Sequence, residues 1–286
     1  MTSFPVVVIP VFNAFSALDA CLAALQAHTP NSAKVIIFDD ASTDHRIEPM
    51  CSDWVLKCEF DAQYYKQTHN RGFPANCNDA MAQVSKHDVV LLNSDTLVTA
   101  GWLDAIVECA NSDNTIASIT PWTNNGEICS FPNFLQSNPV PDDIELVAKA
   151  AALLSANYID IPTGVGFCMY MRRRVIDQIG NFDADTFGKG YGEENDWCLR
   201  AARMGWRNVL CNRAYVVHQG SASFSGLGHM PGGENLDRLL ARWPTYNELI
   251  ARFIIDDPIA CERARFLDSL RNLERLGPQT DMFSYE

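Results

Sequence analysis

The chain is 286 residues long, 47% hydrophobic and 20% charged, and its 22 Lys and Arg against 35 Asp and Glu leave a formal net charge of −13. So much apolar material supports a sizeable core and excludes a largely disordered chain. The acidic balance excludes broad binding to a nucleic-acid backbone, which needs a positive stripe. At about 150 residues per domain, the length suits two domains or one large α/β domain with an appendage. The 10 Cys show no C-x-x-C and no zinc-like Cys/His spacing, which predicts reduced, mostly buried thiols inside the cell. No window approaches about 18 uninterrupted apolar residues, so no membrane span is expected. The run Val6-Val7-Val8-Ile9, cut by Pro10, is too short for a signal peptide.

In chain order, residues 6–9 read as a buried strand and 14–27 as a helix with Leu18, Cys21, Leu22 and Leu25 on one face. Residues 35–38 form a second strand, 64–65 a weaker third and 89–92 a strong fourth, with helices over 74–86 and 100–110. Continuous apolar strands separated by helices predict a parallel sheet covered on both faces. Right-handed crossovers then bring the C-terminal strand ends to one edge, where such sheets bind ligands. Residues 111–141, with Pro121, Asn124-Asn125-Gly126 and Phe131-Pro132, read as a structured surface loop. A helix is expected over 142–156, an apolar run within 159–171, and a short helix after Arg172-Arg173-Arg174. Residues 193–204 read as a helix with Trp197, Ala201 and Met204 on one face, and 207–219 as two short strands. Residues 220–233, rich in Gly and Ser, read as a mobile loop. Residues 235–276 read as two charged amphipathic helices broken at Asp257-Pro258. No internal repeat is evident.

Three polar turns follow the strands: Pro10-Val11-Phe12-Asn13, Asp39-Asp40-Ala41-Ser42-Thr43-Asp44 and Asn93-Ser94-Asp95. Each alone suits a turn or a helix cap. Together on one rim they predict a ligand site. With Asn70-Arg71-Gly72-Phe73, Gly180-Asn181-Phe182-Asp183 and Gly192-Glu193-Glu194-Asn195-Asp196 in the same order, residues 4–220 resemble the inverting family 2 glycosyltransferases. The stretch from Phe182-Asp183 to Arg200 and the later His218 are most similar to the rhamnosyltransferase-like bacterial branch. The tail over 235–275 resembles segments of large polysaccharide-assembly proteins.

The resemblance implies an α/β GT-A fold, the nucleotide-diphospho-sugar transferase fold, with a mostly parallel central sheet flanked by helices and a C-terminal helical extension. Residues 1–220 would form the core, divided into a nucleotide-binding half (1–110) and an acceptor and catalytic half (111–220). Residues 221–286 would hold the loop and the extension. It further implies inverting sugar transfer, with L-rhamnose from dTDP-rhamnose leading and UDP- or GDP-sugars behind. The acceptor would be a saccharide, free or lipid-linked, in bacterial surface polysaccharide assembly. The setting would be the cytoplasm or the inner membrane face, with the chain acting alone or as a module of a larger assembly protein.

A departing diphosphate needs a divalent cation, Mg²⁺ or Mn²⁺, to hold its oxygens. Asn93-Ser94-Asp95 matches the family's D-x-D motif with Asn first. That makes Asp95 the expected metal ligand, one carboxylate sufficing where phosphates and waters complete the shell. Asn93 and Ser94 fall to the ribose or sugar. Asp40 stands where the family has a carboxylate that accepts the N–H of uracil, thymine or guanine. Asp39 is its partner or a turn residue, and Asp44 a helix cap. Pro10, Phe12 and Asn13 would lie beneath base and ribose. Arg71 suits the base or diphosphate, or is a solvated loop charge, and Asn78 matches a family Asn that braces the site.

Glu194 stands where the family has its catalytic base, usually an Asp, with Glu193 and Asp196 as fallbacks. The helix dipole is expected to keep that carboxylate ionised. His218 matches a His that relatives direct at the metal or diphosphate, or it is structural. Trp122, in its polar loop, Thr163 and Gly164 are assigned to the acceptor, and Trp197 to the core. Arg172-Arg173-Arg174 is a solvated helix start, or reaches an anionic group. Two rival classes are a sugar nucleotidyltransferase and a non-catalytic nucleotide- or carbohydrate-binding module. The first would want a Gly-rich basic loop after the first strand. The second has no need of Asp95, Glu194 and His218 together.

Overall fold

A computed structural model describes residues 4–84, 86–220 and 233–276. The first half alternates strand and helix: β1 (Val6–Val11), α1 (Phe15–His28), β2 (Lys34–Asp39), α2 (Ile47–Lys57), β3 (Asp61–Lys66), α3 (Phe73–Gln83) and β4 (Val89–Leu92). There follow β5 (Thr96–Leu97), α4 (Trp102–Ser112), β6 (Ile116–Trp122), α5 (Ile144–Ala152), β7 (Ile159–Asp160) and β8 (Cys168–Met171). The rest comprises α6 (Arg173–Ile179), α7 (Ala184–Phe187), α8 (Glu193–Arg203), β9 (Arg207–Tyr215), β10 (Val217–His218), α9 (Glu234–Arg242), α10 (Tyr246–Asp256) and α11 (Ala260–Leu276).

The main sheet has the order β3-β2-β1-β4-β8-β6-β9-β7, with only β8 and β7 running against the others. Alternate residues of each strand face opposite sides of the sheet. Val7, Ile9, Val11, Val35 and Ile37 pack with α1, α2 and α4, whereas Val6, Val8, Ile36 and Phe38 pack with α3 and α8. Both faces are therefore dry, which is why these strands read as unbroken apolar runs. This is the GT-A architecture, a mostly parallel sheet flanked by helices with helices at the C-terminus.

Several expectations needed correcting. Residues 111–141 are not merely a surface loop, because β6 lies inside the sheet with all seven residues buried. Its polar residues are satisfied internally: Ser118 Oγ donates to Asn208 Oδ1 at 2.8 Å, and Thr120 Oγ1 accepts from Val165 N at 3.1 Å. The helix α2 was not foreseen, since only Ile47 and Cys51 of it are buried. The tail is three helices, not two. Pro244, which lacks an N–H and clashes with a preceding turn, separates α9 from α10. The proposed loop at 220–233 lies, for residues 221–232, outside the described residues. All 10 cysteines are free, and most are buried.

The third apolar cluster joins the end of the sheet to the tail. Phe266 of α11 is fully buried and stacks on Phe131 at 3.8 Å between ring centroids. Beside it, the buried Glu262 accepts from Asn157 Nδ2 (2.7 Å) and Asn212 Nδ2 (2.9 Å), tying α11 to β9.

Candidate active site

The parallel strands end on one rim, and antiparallel β8 begins there, with Cys168 paired to Leu92. A cavity of about 700 Å³ opens above this rim. Its floor includes Pro10 and Phe12 after β1, Asp40 after β2, and Asn93, Ser94 and Asp95 after β4. Thr163 and Gly164, in the loop that enters β8, line it as well. Arg172-Arg173-Arg174 sits at the opposite end of the sheet. There Arg172 donates to the carbonyls of Ile116 (2.5 Å) and Ala110 (2.6 Å), and Arg173 to that of His87 (2.9 Å). It neither reaches the cavity nor stands as a simple solvated start.

Asp40 is held by backbone. Its oxygens accept from Arg71 N at 2.7 Å and Gly72 N at 2.9 Å. Burial raises its pKa above the ordinary aspartate value against the pull of those two N–H groups, and the neighbouring Asp39 adds to the rise. Gly72 can serve because it has no side chain. Its φ is +85°, and a Cβ there would stand 2.7 Å from the carbonyl oxygen of Gly188.

Asp95 and His218 meet through a two-residue ribbon. In the antiparallel β5–β10 pair, Thr96 lies opposite His218, and Gln219 N donates to Asp95 O at 2.9 Å. That register brings His218 Nε2 to 3.5 Å from Asp95 Oδ1. The ring's Nδ1 is 2.6 Å from Asn125 O, and Phe167 stacks on it with centroids 5.5 Å apart. Asn124 fixes the backbone, accepting from His218 N at 2.9 Å and donating to His218 O at 3.1 Å. Burial works against the imidazolium, yet the Asp95 carboxylate and the Asn125 carbonyl outweigh it and raise the His218 pKa. With Nδ1–H directed at Asn125 O, Nε2 would present its lone pair beside the carboxylate, a geometry suited to a cation. Among the described residues no cluster of three or more such ligands exists. The pair fits an ion that takes the rest of its shell from phosphate and water.

The N-terminus of α8 supplies the second pole. Glu193 is 2% exposed, Glu194 lines the cavity with it, and one oxygen of each has no hydrogen-bond partner. Burial raises both pKa values, and the charge of Glu194 lifts Glu193 the further. Backbone N–H groups and a hydrogen bond from Glu193 favour the Glu194 carboxylate. The backbone N–H groups at the helix start pull Glu194 toward its ionised form, as the sequence suggests, while burial pulls the other way. Burial dominates, and Glu193 is raised the further.

This has a consequence for stability. Glu193 binds its proton more tightly folded than unfolded. The stability linked to that proton is complete below the usual 4.5 and is lost as pH rises through the raised folded value. Gln stays neutral at every pH. Glu193→Gln is therefore expected to gain melting temperature over wild type between pH 5 and pH 8, by roughly 2–4 °C for each kcal/mol relieved. A pH-independent difference in thermal melts would show that Glu193 is not held protonated.

Not every expected residue reaches the wall. Asn13 Oδ1 accepts from Thr43 N and Asp44 N, both at 2.9 Å, and ties two rim turns together. Asp39 accepts from Ser42 N (2.8 Å) and Tyr64 Oη (2.7 Å). The Arg71 guanidinium pairs with Asp79 at 2.6 Å, so only its backbone serves the site. Asn78 braces Phe182, donating to its O at 2.9 Å and accepting from its N at 3.1 Å. Asp196 is fully buried by Arg200, Arg242 and Trp243 and does not line the cavity. Trp122 cannot stack on an acceptor, because β6 buries it completely against Phe131 and Phe266.

Two cavity features were not anticipated. Tyr191, two residues before Glu193, has a left-handed φ of 72° between Gly190 and Gly192, a conformation that side chains uncommonly adopt. Leu236, Leu239, Tyr246 and Ile250 bring α9 and α10 into the wall.

Known proteins match this chain in sequence and in fold. The family model described as Glycosyl transferase family 2 matches residues 6–180. An uncharacterized protein of Mycobacterium tuberculosis is 29% identical over 142 residues, 49% of this chain and 49% of its own length. The pre-mycofactocin glycosyltransferase of the same species is 27% identical over 221 residues, 74% of this chain but 42% of its own. The chain thus spans about half the length of these curated relatives or less. Among solved structures, GalNAc-T7 with UDP, GalNAc and Mn²⁺ superposes with a TM-score of 0.65 at 14% identity, covering 96% of this chain and 57% of that one. The mannosyltransferase PcManGT of Pyrobaculum calidifontis, in complex with GDP-Man and Mn²⁺, gives 0.63 at 17% identity, covering 96% and 77%.

Proposed function

The chain belongs to glycosyl transferase family 2, and from that premise we propose that it moves a sugar from a nucleoside-diphosphate donor to an acceptor hydroxyl, with inversion at C1 and with Mg²⁺ or Mn²⁺ at the diphosphate. The observation that carries this reading is the meeting of two chemically different poles, Asp95 with His218 and Glu193 with Glu194, in one cavity.

Asp95 and His218 would hold the cation, which would supply positive charge to offset that gathering on the departing diphosphate. Asp40 receives the N–H of a uracil, thymine or guanine base, with Pro10 and Phe12 beneath it and Asn93 and Ser94 toward ribose and sugar. Glu194 takes the acceptor hydroxyl's proton as its oxygen attacks C1 from the face opposite the diphosphate. The new C1–O bond forms while the old one breaks, and the bonding electrons leave with the diphosphate. Thr163 and Gly164 border the acceptor.

Resemblance to the rhamnosyltransferase-like branch favours dTDP-rhamnose. UDP- and GDP-sugars come next, the two structural neighbours being solved with UDP and GalNAc and with GDP-Man. The acceptor is a saccharide, free or lipid-linked, of bacterial surface polysaccharide assembly, reached from the cytoplasm or the inner membrane face, by this chain alone or within a larger assembly protein. Among the described residues no helix is long and apolar enough to cross a membrane.

A thermal-shift panel of nucleoside diphosphates with and without Mg²⁺ or Mn²⁺ tests the reading. Binding at 100 times Kd stabilises by about 2.7 kcal/mol, which is readily seen. Asp95→Ala is expected to lose the metal-dependent part of that rise, since the diphosphate then lacks its protein-anchored cation. Equal shifts in mutant and wild type would reduce Asn93-Ser94-Asp95 to a turn.

A further inference from the structure

The cavity changes character away from the nucleotide end. Around Asp40, Asn93 and Asp95 it is polar, yet every residue that α9 and α10 contribute is apolar or aromatic: Leu236, Leu239, Tyr246 and Ile250. Ile128 adds to the same lining. This wall adjoins the proposed base. Burial pushes the Tyr246 phenol up from its usual value, and the charges of Glu127 and Glu194 add to the rise.

The wall is also fixed to the helix that carries the glutamates. Arg242 and Trp243, at the end of α9, reach the Asp196 carboxylate of α8 at 3.0 and 2.9 Å. Asn235 Nδ2, in the first turn of α9, donates to Gly190 O at 2.6 Å, just before Tyr191. The apolar wall is therefore held to the glutamate helix by a part-buried network.

A free saccharide lies poorly against such a surface. Leu239, 1% exposed, backs this wall against Phe187 and Leu199; ring hydroxyls turned toward Leu236 or Ile250 would find no partner there, and each buried unpaired costs roughly tenfold in affinity. An aliphatic chain, by contrast, gains about fourfold for each methylene fully removed from water. Resting on the glycosyltransferase reading above, we infer that the acceptor hydroxyl belongs to a unit joined directly to an aliphatic chain, and that α9 and α10 form the subsite for that chain.

The test compares methyl, hexyl and octyl glucosides, mannosides and rhamnosides, below their critical micelle concentrations, as acceptors for the full chain with dTDP-rhamnose, a UDP-sugar or a GDP-sugar as donor. Octyl is expected to exceed methyl by about tenfold or more in kcat/KM, with hexyl between them. Ile250→Asn and Leu236→Asn are each expected to lower the octyl value about tenfold and the methyl value less than threefold. Nucleoside diphosphate thermal shifts check that both variants fold. Leu249→Asn, on the same helix but 40% exposed and outside the cavity, should keep the full preference for octyl. Equal rates with methyl and octyl would overturn the inference and leave the transferase reading standing. So would an equal loss on both acceptors in the two variants, which would mean that the wall packs against protein. No transfer to any acceptor, with no nucleotide binding, would overturn both.

Discussion

Glu194→Gln is expected to retain nucleoside diphosphate binding and to lower sugar transfer by about 10²–10⁴-fold, the usual range for a positioned general base. In the proposed mechanism Glu194 acts only on the acceptor hydroxyl, so the loss falls on the transition state and not on the donor. Gln keeps the shape and needs no charge in a site where burial already disfavours one, so the melting temperature should hold. The raised pKa adds a second signature. Because the base must be deprotonated, transfer should decline on the acid side at a pH above the ordinary 4.5 of glutamate. The limb would report the Glu193–Glu194 pair rather than either residue alone. Near wild-type transfer would remove Glu194 from the chemistry. Binding lost together with turnover would mean that the start of α8 is structural.

What the sequence discloses about this site depends on how local each cause is. β1, β2 and β4 were legible because a strand buried on both faces must be apolar throughout, and the turns after them carry the polar residues of the rim. β6 was not, because Ser118, Thr120 and Pro121 look like loop residues until Asn208 and the loop before β8 supply their partners. Trp122 was misread for the same reason. Its burying neighbour, Phe266, lies far along the chain in α11. His218 could be singled out, but its approach to Asp95 rests on a ribbon of two-residue strands, too short to leave a periodic signal. The amphipathic tail was visible, whereas the surface its apolar face meets is a tertiary fact. The dipole argument for Glu194 counted the helix and not the burial, which raises the carboxyl's pKa.

Asp196→Ala is expected to cost stability rather than chemistry. The carboxylate is 0% exposed and accepts from Arg200 Nε at 2.8 Å, Arg242 Nη1 at 3.0 Å and Trp243 Nε1 at 2.9 Å. Removing one partner of a buried pair costs about 3–5 kcal/mol where the other charge is left without compensation. Here the arginine side chains are 22% and 37% exposed. Arg200 also keeps the carbonyls of Ile179 and Asn181, and Arg242 keeps Asp183 at 2.6 Å. Solvent and these partners soften the loss to about 2–3 kcal/mol, or a fall of roughly 5–10 °C in Tm. The damage should also spread along α9, since Arg242 and Trp243 close its C-terminal end onto α8, and the apolar wall would shift with it. Transfer at low temperature, where the variant is folded, should therefore decline chiefly through KM for the acceptor, while Glu194→Gln declines through kcat. An Asp196→Ala protein that melts like wild type yet transfers no sugar would overturn this account and move the base two residues along α8.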